Sequence, residues 1–131
     1  MSPAPRVVLD TTVLIDVLRN RNRRRALLAG LVSSGQELAT STINVAEVYG
    51  GIRPGEEQTT QAFLAGLTWL QVSGSIAERA GQLKADFRRH GQTRSIADMI
   101  VAATGLEQGC LVATDNRKDF QVQGLALFLL P

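Results

Sequence analysis

The stretch RVVLDTTVLIDVL, Arg6 to Leu18, sets a short apolar run against a longer one, with Asp10 and two threonines at the joint. RVVL is brief, continuously apolar and rich in β-branched residues, the pattern of a strand buried on both faces. TTVLIDVLRN behind it reads as a short helix with Thr11 or Thr12 near its N-cap. A carboxylate buried at such a joint is expensive unless something compensates it. Asp10 therefore either caps the helix or holds something positive.

The same alternation continues along the chain. RRALLAGLVSSG places Ala26, Leu27, Leu31 and Val32 at helical spacing and stops at Gly35, and ELAT follows as a second strand. STINVAEVYGGI is a helix capped by Ser41 or Thr42, EEQTTQAFLAGL is another, and WLQV is strand three. GSIAERAGQLKADFRRHG carries Ile76, Ala80, Leu83 and Phe87 on one stripe. In SIADMIVAATGLEQG, Ile96, Met99, Ile100, Ala103 and Leu106 are expected to pack inward. CLVA is strand four, TDNRKDF a polar turn and LALFLL strand five. Short apolar strands alternating with helices predict an α/β fold, a parallel sheet covered on both faces.

Composition bounds the rest. The chain has 131 residues, 44% hydrophobic and 20% charged, which fits one globular domain spanning 1–131. No apolar run reaches the ~20 residues of a membrane span, and MSPAPR lacks the apolar core of a signal peptide. A lone Cys110 offers no disulfide framework and suits a reducing cytoplasmic location. Net charge is only +2, yet RNRNRRR packs Arg19, Arg21, Arg23, Arg24 and Arg25 into seven positions, and RRHGQTR ends in Arg94. Such clusters can neutralise phosphates, or simply solvate a helix end.

In an open parallel sheet, ligands bind beyond the carboxyl ends of the strands. Asp10 follows strand one, and Asp115 follows strand four in CLVATD. Glu47 stands four residues after Ile43 and so on or beside the apolar face of its helix. Asp98 stands three after Ser95, which is also a capping-box position. TDNRKDF adds Asn116 and Asp119, residue types that turns favour for backbone reasons alone. Carboxylates gathered in one crevice repel by ~1 kcal/mol per close pair in water and several-fold more when partly buried. Relief comes from raised pKa values, from arginine or from a divalent cation. Oxygen donors with scarce His and Cys point to Mg2+ or Mn2+ rather than zinc. A hard cation there suits phosphodiester hydrolysis.

LDTTVLIDVLR, STINVAEVYGGI, SIADMIVAAT and LVATDNRKDF with GLALFLL, in that order, resemble a PIN domain of the VapC type, the toxin nuclease of type II toxin–antitoxin pairs. The resemblance spans essentially the whole chain and is most specific at its two ends. It implies a three-layer α/β/α fold with a short parallel sheet of about five strands. It also implies an Mg2+-dependent endoribonuclease, with Mn2+ able to substitute, acting on RNAs such as tRNA or rRNA. Asp10, Glu47 and Asp98 fall on the metal-binding and catalytic acids. The fourth group comes from the segment holding Thr114, Asp115, Asn116 and Asp119; Asp115 is favoured because it emerges first from strand four. Thr11, Thr114, Asn116 and Asp119 are then site supports. A homodimer, a small antitoxin that blocks the site, and operator DNA bound only through that antitoxin are implied as well. The arginine clusters would touch RNA or antitoxin.

Other chemistries fit less well. A haloacid-dehalogenase-like phosphatase needs a second aspartate two residues after the first, where this chain has Thr12. A response-regulator receiver needs an acceptor aspartate after strand three, and WLQVSGS has none. A triad hydrolase needs a histidine, and His90 lies in a basic helix end. The non-enzymatic rival is a catalytically inactive PIN-like module whose acids bind an arginine-rich partner or RNA. Trp69 is expected in the core rather than as a base-stacking platform, and Asp16 as a structural acid paired with an arginine.

Overall fold

The computed structural model describes residues 6–131; the N-terminal MSPAP lies outside them. Five parallel strands form one sheet: β1 (Arg6–Leu9), β2 (Glu37–Ser41), β3 (Thr68–Leu70), β4 (Leu111–Ala113) and β5 (Leu127–Phe128), in the order β3-β2-β1-β4-β5. The helices α1 (Thr11–Leu18), α2 (Arg24–Ser33), α3 (Thr42–Gly50), α4 (Glu57–Ala65), α5 (Gly74–Arg89) and α6 (Ile96–Gln108) cover it, and a 3-10 turn at Arg117–Phe120 precedes β5.

Alternation along β1 splits the interior into two cores. Val7 and Leu9 point to one face, packing with Val13, Leu14, Leu28, Val48 and Leu64 from α1 to α4. Val8 points to the other, packing with Ile76, Ala80, Met99, Ala102 and Phe120 from α5, α6 and the 3-10 turn. The three-layer α/β/α arrangement is as expected from the alternating pattern. Chain order runs outward from β1 through β2 to β3, then returns to β4 on the other side of β1. The switch point thus falls between β1 and β4, where the crevice opens.

Four side chains depart from the expected packing, among them Ala26, which is exposed on α2. Trp69 is 44% exposed on the edge strand β3, where its Nε1 donates to the Leu64 carbonyl at 2.8 Å. Val32 and Ile96 are exposed rather than inward. Val32 lies near the last turn of α2, where Leu28 is the buried residue; Ile96 opens α6 and faces outward beside its cap. No helix among the described residues is long and apolar enough to cross a membrane.

Candidate metal-dependent nuclease site

Of the two roles its position suggested, the structure shows the first. It is the N-cap of α1: its Oδ1 accepts from the Val13 amide at 3.1 Å, so the cap is the acid and not Thr11 or Thr12. Its Oδ2 accepts from the Thr114 hydroxyl at 2.5 Å, and Asp10 N donates to the Ala113 carbonyl, locking the end of β1 to the end of β4. Only 4% of Asp10 is exposed. Burial pushes its pKa up to about 6; the two hydrogen bonds pull the other way, and the charges of Asp98 and Asp115 add to the rise.

Glu47 arrives through a chain of hydrogen bonds. Ser41 ends β2 and caps α3, its Oγ accepting from Ile43 N, while Ser41 N donates to Asn44 Oδ1. Asn44 Nδ2 donates to Thr11 Oγ1 at 2.9 Å, and the Thr11 hydroxyl donates to Glu47 Oε1 at 2.6 Å. Glu47 is exposed rather than on the apolar boundary, held over the crevice by the first residue of α1. Asn44 is buried, and its one signal in the sequence is that a serine followed three residues later by an amide is a capping-box variant.

Asp98 comes from the first turn of α6, where Ser95 Oγ accepts from its amide at 3.0 Å. Its carboxyl is half-buried, and burial raises its pKa; Asp119 and Glu47 push the same way, while Ser95 and Arg94 oppose. Asp10 therefore feels Asp98, and Asp98 feels Glu47, across the carboxyl edge of the sheet.

The acids after β4 are differently placed. Asp115 is exposed, and its Oδ1 accepts from Arg24 Nη2 at 2.7 Å. Asp119 accepts from Asn116 Nδ2 at 2.6 Å and lies 3.7 Å from Arg94 Nη1. Asn116 N donates to Thr114 Oγ1, closing the turn. Among the described residues, then, Asp115 and Asp119 have arginine partners, whereas Asp10, Glu47 and Asp98 have no ion-pair partner.

Among the described residues no three His, Cys, Asp or Glu side chains stand together as a ready metal cage. The reason is visible in the hydrogen bonds: Thr11 draws Glu47, Arg24 draws Asp115 and Asn116 draws Asp119 to separate donors. Mutual repulsion favours that dispersal. The donor set is nonetheless all hard oxygen, and buried Asp10 and half-buried Asp98 repel one another with no ion pair to either, Arg94 offsetting the charge at Asp98 only in part. That chemistry fits Mg2+ or Mn2+.

The arginine cluster divides sharply. Arg24 is 3% exposed, so it is no surface contact for RNA or a partner. Arg25 donates to the Val17 and Leu18 carbonyls at the end of α1. Arg21 and Arg23 are exposed, and Arg19 is the C-cap of α1. Asp16 is buried and accepts from Asn22 Nδ2 at 2.9 Å, an asparagine rather than the expected arginine.

A parallel sheet with helices on both faces and acids at the carboxyl ends of its strands places the chain in the class of open α/β folds that bind ligands at a switch point. The chain belongs to the PIN domain family, whose model matches residues 7–123. It is similar to "Ribonuclease VapC19" of Mycobacterium tuberculosis, 30% identical and covering 86% of this chain and 90% of that one. It is also similar in structure to a toxin–antitoxin complex from Klebsiella pneumoniae (TM-score 0.76, 26% identity, 93% and 96% coverage). VapBC2 from Rickettsia felis, bound to a DNA fragment from its promoter, shares the fold (TM-score 0.81, 21% identity, 94% and 97% coverage).

Proposed function

We propose that the chain is the toxin of a type II toxin–antitoxin pair, a divalent-metal-dependent endoribonuclease in which Asp10, Glu47 and Asp98 hold the ion. Relatives named as VapC ribonucleases and neighbours that are toxin–antitoxin complexes support the class. The observation that carries the site is electrostatic. Asp10 after β1, Glu47 on α3 and Asp98 on α6 act on one another in series, Asp10 and Asp98 with raised pKa values, and none of the three is in an ion pair among the described residues.

When bound, Mg2+ or Mn2+ supplies charge for the scissile phosphate and lowers the pKa of a water. The chain's own residues do the positioning. Thr114 fixes the Asp10 carboxylate by holding Oδ2, and the α1 amide of Val13 fixes Oδ1. Thr11, itself held by Asn44, presents Glu47. Ser95, the N-cap of α6, fixes the first turn that carries Asp98 by accepting from its amide. Exposed Arg21 and Arg23 are suited to RNA phosphates. A groove of about 460 Å3 along α2 and α4, lined by Leu28, Val32, Phe63 and Leu67, is an apolar surface of the kind that an antitoxin helix covers.

The test is to purify the chain free of any partner and incubate it with RNA and Mg2+ or Mn2+, with EDTA controls. Cleavage is expected only with metal, and Asp10→Asn and Asp98→Asn are expected to abolish it while the circular dichroism spectrum is unchanged. Cleavage persisting in EDTA, or in both variants, overturns the mechanism. Absence of turnover with tight capture of an arginine-rich partner would favour the inactive module instead.

A further inference from the structure

We propose that Arg24 is a positioning residue for this site: it holds Asp115 at the rim of the crevice through Oδ1 and sets where that negative charge stands relative to Asp10. The inference rests on the ribonuclease reading above and goes beyond it, because Arg24 touches neither Asp10, Glu47 nor Asp98.

Arg24 is anomalous among its neighbours. Its neighbours Arg21, Arg23 and Arg25 are exposed, yet its own guanidinium is almost wholly buried. A buried charge is expensive unless it is paired and hydrogen-bonded. Nη2 reaches Asp115 at 2.7 Å, and Nη1 donates to the backbone oxygens of Asn22 at 3.3 Å and Pro131 at 3.4 Å. Nε has no hydrogen-bond partner. The compensation is incomplete except at the carboxylate, so Asp115 is the partner that justifies the burial.

Local stability gives no reason for an arginine there. Arg24 opens α2, where a cation opposes the helix dipole, and that helix has no side-chain cap. The corner that delivers Arg24 is strained as well. Asn20, Asn22 and Arg23 all have φ between +53° and +55°, a region that non-glycine residues seldom adopt. Around them the backbone is pinned: Arg21 N donates to the Asp16 carbonyl at 2.7 Å, Asn22 Nδ2 to Asp16 Oδ2, and Arg25 Nε to the Val17 carbonyl at 2.8 Å. Strain of this kind persists only where surrounding contacts over-determine it.

The consequence falls on Asp115. It is exposed and on a turn, so by itself its carboxylate would sample several rotamers. A charge-assisted bond from a buried, immobile guanidinium selects one of them and leaves Oδ2 with no side-chain or backbone donor among the described residues. Asp115 is close enough for its charge to act on Asp10. Arg24 thus works on the site through another residue.

The test is a double-variant cycle on the intact chain, read by Mn2+ titration calorimetry and by kcat and KM for RNA. Arg24→Met and Asp115→Ala are each expected to weaken Mn2+ binding about 10-fold, the lower end for removal of an outer-shell partner. The combined variant is expected to bind no more weakly than Asp115→Ala alone, because no carboxylate remains to be placed. The losses are expected in kcat, with the KM for RNA unchanged, and Arg24→Lys is expected to restore part of the affinity. Should Arg24→Met fail to fold, Arg24→Lys takes its place in the cycle. Additive losses would mean that Arg24 acts through the fold at large, and a raised KM that it contacts RNA. A rise in Mn2+ affinity in Arg24→Met would mean that Arg24 competes with the cation. Each overturns the proposal, as does equal affinity in all four proteins. A wild-type chain that binds no Mn2+ and leaves RNA intact sinks the ribonuclease reading, and this proposal with it.

Discussion

At the scale of single residues, Asp10 caps α1 and is also the most deeply buried of the three acids proposed to hold the ion. Its cap and its bond from Thr114 favour the ionised form, but burial outweighs them and lifts its pKa from 3.8 to about 6. Folding therefore penalises the charged acid. The penalty is absent below about pH 4, grows between 4 and 6 and is full above 6, where a rise of about two pKa units corresponds to about 3 kcal/mol. In metal-free buffer at pH 7.5, Asp10→Asn is expected to be more stable than the parent by up to that amount in urea unfolding, since Asn keeps the capping oxygen. The advantage should shrink toward zero as the pH falls to 4. Metal affinity should show the opposite slope, with Mn2+ binding weakening as the pH drops through about 6 and protons compete for Asp10. A titration calorimeter run at pH 5 and pH 7 checks this. An advantage of Asp10→Asn that is flat with pH would place the charge cost elsewhere.

Among the elements, α6 carries most of the constraint. Met99, Val101, Ala102, Ala103, Thr104 and Gly105 are all buried, so the helix is enclosed on nearly every side, and its first turn is the part that reaches the crevice with Asp98. Gly105 lets it lie close to the sheet: a Cβ there would stand 2.7 Å from Leu125 Cδ1 and 2.9 Å from Val112 Cγ2. Leu125 can swing, but Val112 is fully buried in β4. Gly105→Ala is therefore expected to destabilise by about 1–2 kcal/mol, overpacking outweighing the gain in helix propensity. The measurement is the urea midpoint, with metal affinity unchanged in the folded fraction. The α3 cap makes a second case. Asn44 ties Ser41 to Thr11, so Asn44→Ala is expected to release Glu47 as well as fray α3. The expected loss is about 1–2 kcal/mol of stability together with weaker Mn2+ binding.

For the whole molecule, a cation that binds only the folded state raises stability by mass action, about 2.7 kcal/mol at one hundred times its Kd. Millimolar Mn2+ is expected to raise the Tm of the parent chain and to leave Asp98→Asn nearly unmoved, as read by scanning calorimetry with an EDTA blank. An equal shift in both would mean that the ion binds away from the crevice. The sheet order β3-β2-β1-β4-β5 is what makes such a site possible, because it sets β1 beside β4 at the point where the chain reverses direction across the sheet.

Much of this was readable in one dimension. The alternation of apolar strands and helices, the position of Asp10 and Thr114 at strand ends, and Asp98 one turn into its helix follow from periodicity, because burial on both faces of a sheet imposes its own pattern on the residues. The exposure of Trp69 and Ile96 did not follow, since an apolar residue at an edge strand or a helix start reads the same as one in the core. Nor did the division of the arginines: Arg23, Arg24 and Arg25 are alike in sequence, and only the helical phase that sets Arg24 in line with Leu27, Leu28 and Leu31 hints that it faces inward. Which acids keep an arginine and which are left without one was decided by tertiary structure alone. Ion pairing depends on separations of a few ångströms between segments as far apart as Arg24 and Asp115, and chain order carries no information about distances on that scale.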